Sequence, residues 1–296
     1  MPAAATVSTA AAAPVRLAVI GHPVAHSRSP AIHAQFAAAC GDAVDYRAIE
    51  APLDGFLATV RAFADAGARG CNVTVPFKAE AHAACPRLSP RAAAAGAVNT
   101  IRFDAEGWFG DNTDGAGLVR DMEHNAGVPL AGRRELLLGA GGAAAGALGA
   151  LIGAGPAAIT VANRSAAKAD ALVARFAAAA AAQGVGLSAA GPDAPGPAFD
   201  LLVNATAASL QGALPALPPG TLRPGALALD MMYGAAARPF LDAMAAQGAR
   251  PRDGLGMLVE QAAEAYALWL GRRPETPLVL AALRAAVDGP AQGGAR

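Results

Sequence analysis

Short apolar runs alternate with mixed, helix-like stretches along most of the chain. Val15–Gly21 reads as a strand, and Ser29-Pro30 opens a helix, with Ser29 as N-cap and proline at the first helical position. Val44–Glu50 is a strand, Leu53–Ala66 a helix and Gly70–Val75 a strand. Ala97–Phe103 and Gly107–Gly110 form a hairpin, and Thr113–Asn125 is helical. The alternation then restarts, with strands at Glu135–Leu138 and Ala157–Ala162 and others near 200 and 226. Ser165–Ala182 is a helix with Ser165 as N-cap, and Gly191–Pro197 and Leu214–Gly225 are surface loops. The end of the chain is helical: Ala237–Gln247, Leu255–Leu270 and Pro277–Val287. Two βαβ blocks in series predict two α/β domains with mostly parallel sheets.

Leu136–Ala162 carries no charge over more than a membrane span. Seven glycines and Pro156 lie within Gly139–Pro156, so the run parses as strand, turn, helix and strand, and no membrane segment is expected. Met1–Ala13 has neither a basic start nor a Leu/Val-rich stretch, so residues 1–14 read as a disordered tail and the protein as cytoplasmic.

Composition narrows the classes. The 296 residues allow about two domains, and Lys+Arg 23 against Asp+Glu 23 gives no basic surplus for a nucleic acid or an anionic membrane. Cys40, Cys71 and Cys85 are odd in number and lack C-x-x-C spacing, which excludes a disulfide framework and argues against zinc; no metal is expected. His22 and His26 are four apart, but Pro23 breaks any helical ligand pair; His33, His82 and His124 read as structural or solvent-facing. Only Lys78 and Lys168 among the 23 basic residues are lysines. A lysine kept in so arginine-rich a chain stands out, because lysine can release its proton and arginine cannot.

Gly139-Ala140-Gly141-Gly142-Ala143-Ala144 fits G-x-G-x-x-[G/A] between a strand and a helix, the dinucleotide-binding arrangement of a Rossmann domain. The first glycine permits the turn, the second lets the backbone approach a pyrophosphate, and the helix start attracts it. An acidic residue after the next strand would hold a ribose hydroxyl of NAD. Asn163-Arg164-Ser165, with Lys168 one turn on, offers donors for a 2′-phosphate instead, so NADP is expected.

Four further segments carry chemistry: Gly21-His-Pro-Val-Ala-His-Ser27-Arg-Ser29-Pro30, Asn72-Val-Thr74-Val-Pro-Phe-Lys78, Gly96-Ala-Val-Asn99-Thr100 and Asp111-Asn-Thr-Asp114-Gly-Ala-Gly. With Asp253-Gly-Leu-Gly-Met-Leu-Val-Glu-Gln261-Ala, the sequence from about Val15 to Ala286 resembles the shikimate dehydrogenase family. The resemblance implies a substrate domain over 15–112, an NADP-binding Rossmann domain over 113–253, and C-terminal helices over 254–296 packing back on the first. It implies reversible reduction of 3-dehydroshikimate to shikimate in aromatic amino-acid biosynthesis, by a monomer or homodimer. Lys78 and Asp114 would be the proton-transfer pair: oxidising a secondary alcohol needs a base, and a lysine made less basic by burial can serve, oriented by a carboxylate. Ser27 and Ser29 would hold the substrate carboxylate, with Asn72, Thr74, Asn99, Tyr233 and Gln261 around a hydroxylated ring. Asn204, Thr206, Met231 and Gly254 would join the Gly loop in holding the cofactor.

Three positions depart from the family pattern. Ala34 replaces an Asn, Ala207 a Ser, and Gly234–Arg238 lacks a Thr before Pro239. A quinate/shikimate or amino-shikimate dehydrogenase, or a non-catalytic ligand sensor, is the alternative reading. An acidic residue at 163–164 would have favoured NAD, and loss of Lys78 or Asp114 a sensor; neither is seen.

Overall fold

The computed structural model describes residues 13–196, 198–206 and 217–289. The expected tail at 1–12, Pro197, Ala207, the first part of the loop at 214–216 and the end of the expected C-terminal segment at 290–296 lie outside the described residues.

The first sheet runs in the order β2-β1-β3-β5-β6-β4. Its strands are β1 (Val15–Gly21), β2 (Val44–Glu50), β3 (Gly70–Val73), β4 (Arg87–Leu88), β5 (Thr100–Asp104) and β6 (Gly107–Asp111). β1 pairs in parallel with β2 and β3, and the β5–β6 hairpin adds antiparallel to β3. This brings the C-terminal ends of β1 and β3 side by side, where loops can converge on a ligand.

The second sheet is parallel throughout, in the order β12-β11-β10-β7-β8-β9. It comprises β7 (Arg134–Leu138), β8 (Ala158–Ala162), β9 (Gly186–Ala190), β10 (Phe199–Asn204), β11 (Leu222–Asp230) and β12 (Arg250–Arg252). The chain runs outward from β7 to β9 and then returns to β10 beside β7. The glycine turn after β7 therefore opens at the point where strand order reverses.

Helices α1 (Ser29–Cys40), α9 (Leu255–Leu270) and α10 (Pro277–Asp288) share one apolar cluster, in which Ile32 and Phe36 meet Leu255, Tyr266 and Leu283. His33 is wholly buried there and stacks on Tyr46 at 4.2 Å; burial takes its pKa down to about 3, so it is a neutral core ring. α5 (Asp114–Arg120) lies between α9 and α6 (Gly142–Gly153). A Cβ on Gly115 would stand 2.5 Å from the Gly146 carbonyl oxygen, and one on Gly117 2.6 Å from the Gln261 nitrogen. The Asp-Gly-Ala-Gly segment is thus a close-packing device: Gly in a helix costs about 1 kcal/mol, and here it admits two helices at backbone distance.

Several boundaries differ from the sequence reading. The Leu53–Ala66 helix is shorter, α2 (Phe56–Asp65), because Pro52–Gly55 closes a turn first. β3 stops at Val73, before the Val75-Pro76 bond. The 113–125 helix is α5 followed by a π-helical turn over Asp121–Asn125, with the Asp121 carboxylate held by Arg252. The predicted Ala237–Gln247 helix is α8 (Arg238–Ala246). Ser29 and Ser165 do not cap by side chain; the Ser29 N–H instead donates to Ser27 Oγ at 3.2 Å. The short α3 (Lys78–Ala84), α4 (Pro90–Ala95), β4, β9 and β12 had no legible pattern.

Glu135 in β7 is 1% exposed, and among the described residues neither carboxylate oxygen has a hydrogen-bond partner. Burial, with Glu123 adding, raises its pKa from 4.5 to about 8. The folded protein keeps a proton that the unfolded chain has lost, so stability falls as pH rises across that window. Glu135→Gln is expected to gain on the order of 3 kcal/mol at pH 8 relative to its effect near pH 4.5. Urea melts of both proteins at the two pH values check this; parallel pH profiles would contradict it.

Candidate active site

The cleft between the sheets holds a cavity of about 370 Å³. From one side, Ser27, Arg28 and Ser29 reach it from the turn into α1, and Asn72, Thr74 and Lys78 from the end of β3 and the start of α3. Asn99 and Asp114 border it from the β5 start and the α5 start. Met231, Tyr233, Gly254 and Gln261 close it from the end of β11 and from α9. All nine predicted substrate-side residues therefore border one space, together with Met231 and Gly254 from the predicted cofactor set.

Lys78 Nζ donates to Asp114 Oδ2 at 2.6 Å, with side-chain exposures of 32% and 12%. The other carboxylate oxygen accepts from Asn99 Nδ2 at 2.8 Å. Asn99 is filled by protein partners: Nδ2 also donates to Thr113 Oγ1, while Oδ1 accepts from the Thr113 N–H and Thr100 Oγ1. These bonds brace Asp114, and Asn99 also borders the cavity. Asn72 is similarly occupied: Oδ1 accepts from Tyr46 OH at 2.6 Å, and Nδ2 donates to the Asn99 carbonyl and Thr100 Oγ1. Gln261 Nε2 donates to the Leu258 carbonyl, which leaves one N–H of that amide for the cavity. Burial raises the Tyr233 phenol above its ordinary value, with Arg28 opposing, so Tyr233 is a hydroxyl donor at neutral pH. Arg28 was not singled out from the sequence; its place between two serines at a helix start was the available signal.

The dinucleotide loop follows β7. Gly139 has φ +105°, and a Cβ there would press on the Ala205 carbonyl group and Thr206. Among the described residues nothing lies within 4 Å of a Cβ position on Gly141 or Gly142, and Ala143 is exposed beside them at the start of α6. Open backbone at a 12-residue helix start fits a pyrophosphate. Ala140 packs against the core below it. Arg164, Ser165 and Lys168 are exposed where β8 runs into α7 (Ala166–Ala182), and Asn163 Nδ2 holds the Ser165 carbonyl. That turn presents two cations and a hydroxyl beside the loop, which fits a 2′-phosphate. Asn204, at the end of β10, bonds Thr206 and Asp230.

Comparison with known proteins matches three family models: the shikimate dehydrogenase substrate binding domain over residues 19–101, shikimate/quinate 5-dehydrogenase over 122–209, and the shikimate 5′-dehydrogenase C-terminal domain over 254–284. The chain is 61% identical to a shikimate dehydrogenase (NADP(+)) of Methylibium petroleiphilum, over 94% of this chain and 97% of that one. Another protein of that name, from Aromatoleum aromaticum, is 58% identical over 93% and 98%. A solved shikimate 5-dehydrogenase from Thermus thermophilus, in complex with NADP(H) and shikimate, superposes with a TM-score of 0.79 at 35% identity, covering 92% of this chain and 99% of that one.

Proposed function

For a chain that belongs to the shikimate dehydrogenase family, we propose that Lys78 and Asp114 form the proton-transfer pair and that the surrounding cavity binds the substrate. The protein is an oxidoreductase acting on a CH–OH group; it interconverts 3-dehydroshikimate and shikimate with NADP. The observation that carries the site reading is the 2.6 Å Lys78–Asp114 contact at the wall of a cavity large enough for a six-membered ring with its substituents.

Oxidation of the alcohol breaks a C–H and an O–H bond and leaves a carbonyl. Bound NADP⁺ supplies the hydride acceptor. Lys78 Nζ takes the hydroxyl proton, and returns it to the carbonyl oxygen in the reverse direction. Asp114 keeps Nζ aimed, itself braced by Asn99. Ser27 and Ser29, at the start of α1, hold the carboxylate; Thr74, Tyr233 and Gln261 meet ring hydroxyls, and Asn72 shapes the wall between them. Gly139, Ala140, Gly141, Gly142 and Ala143 seat the pyrophosphate; Asn163, Arg164, Ser165 and Lys168 meet the 2′-phosphate; and Asn204 and Thr206 shape the loop edge. Met231 and Gly254 form the floor for the nicotinamide. Residues 15–112 and 113–253 work as substrate and cofactor domains, with 254–296 closing the first, and the protein acts in the cytoplasm as a monomer or homodimer. Among the described residues no helix is long and apolar enough to cross a membrane.

Nicotinamide absorbance, recorded for shikimate and quinate each with NADP⁺ and NAD⁺, tests the assignment. The shikimate–NADP⁺ pair is expected to give the highest kcat/KM. A higher value with quinate or with NAD⁺ would overturn it.

A further inference from the structure

Asp253 immediately precedes Gly254, is 6% exposed and is tied to three elements at once. Arg284, in the last helix, donates Nη2 to Oδ1 at 2.5 Å and Nη1 to Oδ2 at 2.7 Å. The Leu255 N–H at the start of α9 donates to Oδ1 at 3.3 Å, and the Gly234 N–H, next to Tyr233, to Oδ2 at 3.4 Å. Bidentate guanidinium–carboxylate pairs are directional as well as strong. Burial works to raise the Asp253 carboxyl, but Arg284 and the two N–H groups outweigh it and hold it below the usual carboxylate range.

The held turn has little slack. Gly234 stands at φ +65°, and a Cβ on it would touch Val287 of α10 at 3.4 Å. A Cβ on Gly254 would lie 2.3 Å from the Met231 carbonyl oxygen, and the Gly254 N–H donates to the Met232 carbonyl at 2.9 Å. The Asp253 carboxylate reaches the Tyr233 turn through the Gly234 N–H, whereas the Gly254 N–H bond to the Met232 carbonyl holds Gly254 against Met231 without it. Asp253 and Arg284 do not line the cavity themselves; Tyr233, Met231 and Gly254 do.

We propose that Asp253 and Arg284 are positioning residues: the last helix clamps the Tyr233 turn, and so fixes where the Tyr233 hydroxyl meets the substrate ring. The proposal rests on the substrate reading of this cavity. Arg284→Ala should raise KM for shikimate about tenfold with a smaller change in kcat, since the reacting pair is untouched. Arg284→Lys should recover part of the loss, because an ammonium keeps the charge but not the fork. Arg284→Ala added to Tyr233→Phe should cost little more than Tyr233→Phe alone.

The chain has three tyrosines, Tyr46, Tyr233 and Tyr266, so fluorine NMR of protein labelled with 3-fluorotyrosine reads the clamp without turnover. Tyr233→Phe assigns the Tyr233 line. In folded, full-length Arg284→Ala that line should shift or broaden while the Tyr46 line stays. An unmoved Tyr233 line, or kinetic losses that multiply in the double variant, would overturn the clamp. If instead the line moves while Tyr233→Phe leaves the shikimate KM unchanged, the clamp stands and the substrate reading of Tyr233 falls.

Discussion

Lys78→Ala is expected to lower kcat by about 10²–10⁴-fold, with a milder change in KM, in a protein that still binds NADP. The magnitude is that of a general acid–base group removed from the reacting bond. Lys78 sits at the first turn of α3, just beyond the end of β3, and reaches the cavity with its ammonium 2.6 Å from Asp114. The dinucleotide loop follows β7 in the other sheet, so the loss should fall on turnover and not on cofactor affinity. Asp114→Ala should act on the same step, because it frees Nζ and leaves Asn99 Nδ2 short of one partner. The two substitutions together should cost far less than the product of the single losses, since either one dismantles the same pair. Multiplying losses in kcat would mean that the two side chains do separate work.

Arg164→Ala should weaken use of NADP by about ten- to a hundredfold and leave use of NAD almost unchanged. Loss of one charge-assisted phosphate contact is worth about 1.5–3 kcal/mol. Arg164 is exposed at the end of β8 with Lys168 one turn further on, so part of the phosphate's attraction survives the change. That sharing keeps the expected loss near the lower part of the range. The ratio of kcat/KM for NADP⁺ to that for NAD⁺ checks it; an unchanged ratio would remove Arg164 from 2′-phosphate recognition.

Both predictions rest on residues visible in the bare sequence, and the reason is physical. In open α/β sheets ligands bind at the C-terminal ends of parallel strands, so a lysine or a glycine-rich turn just after an apolar run marks the site, as Lys78 and Gly139 do. Arginine bias makes a retained lysine conspicuous. The Asp253–Arg284 clamp was not legible, because Asp253 heads a visible motif but Arg284 lies 31 residues further on in a helix of ordinary pattern, and only the fold joins them. The short α3 and α4 were hidden because alanine gives a six- or seven-residue helix no periodicity. Glu135 opened an apolar run and read as a strand start, yet the sheet buries it completely. Asn99 was legible as a site residue but not as the brace of Asp114, because only the β5 start and the α5 start brought together show which amide atoms are already taken.

The acid–base claim meets its most direct test in kcat for Lys78→Arg, measured on protein shown to be folded and to bind NADP. A guanidinium keeps the positive charge beside Asp114 but cannot release its proton at working pH. Turnover as low as that of Lys78→Ala is the predicted result. Near-normal turnover would show that position 78 supplies charge alone, and would contradict proton transfer by Lys78.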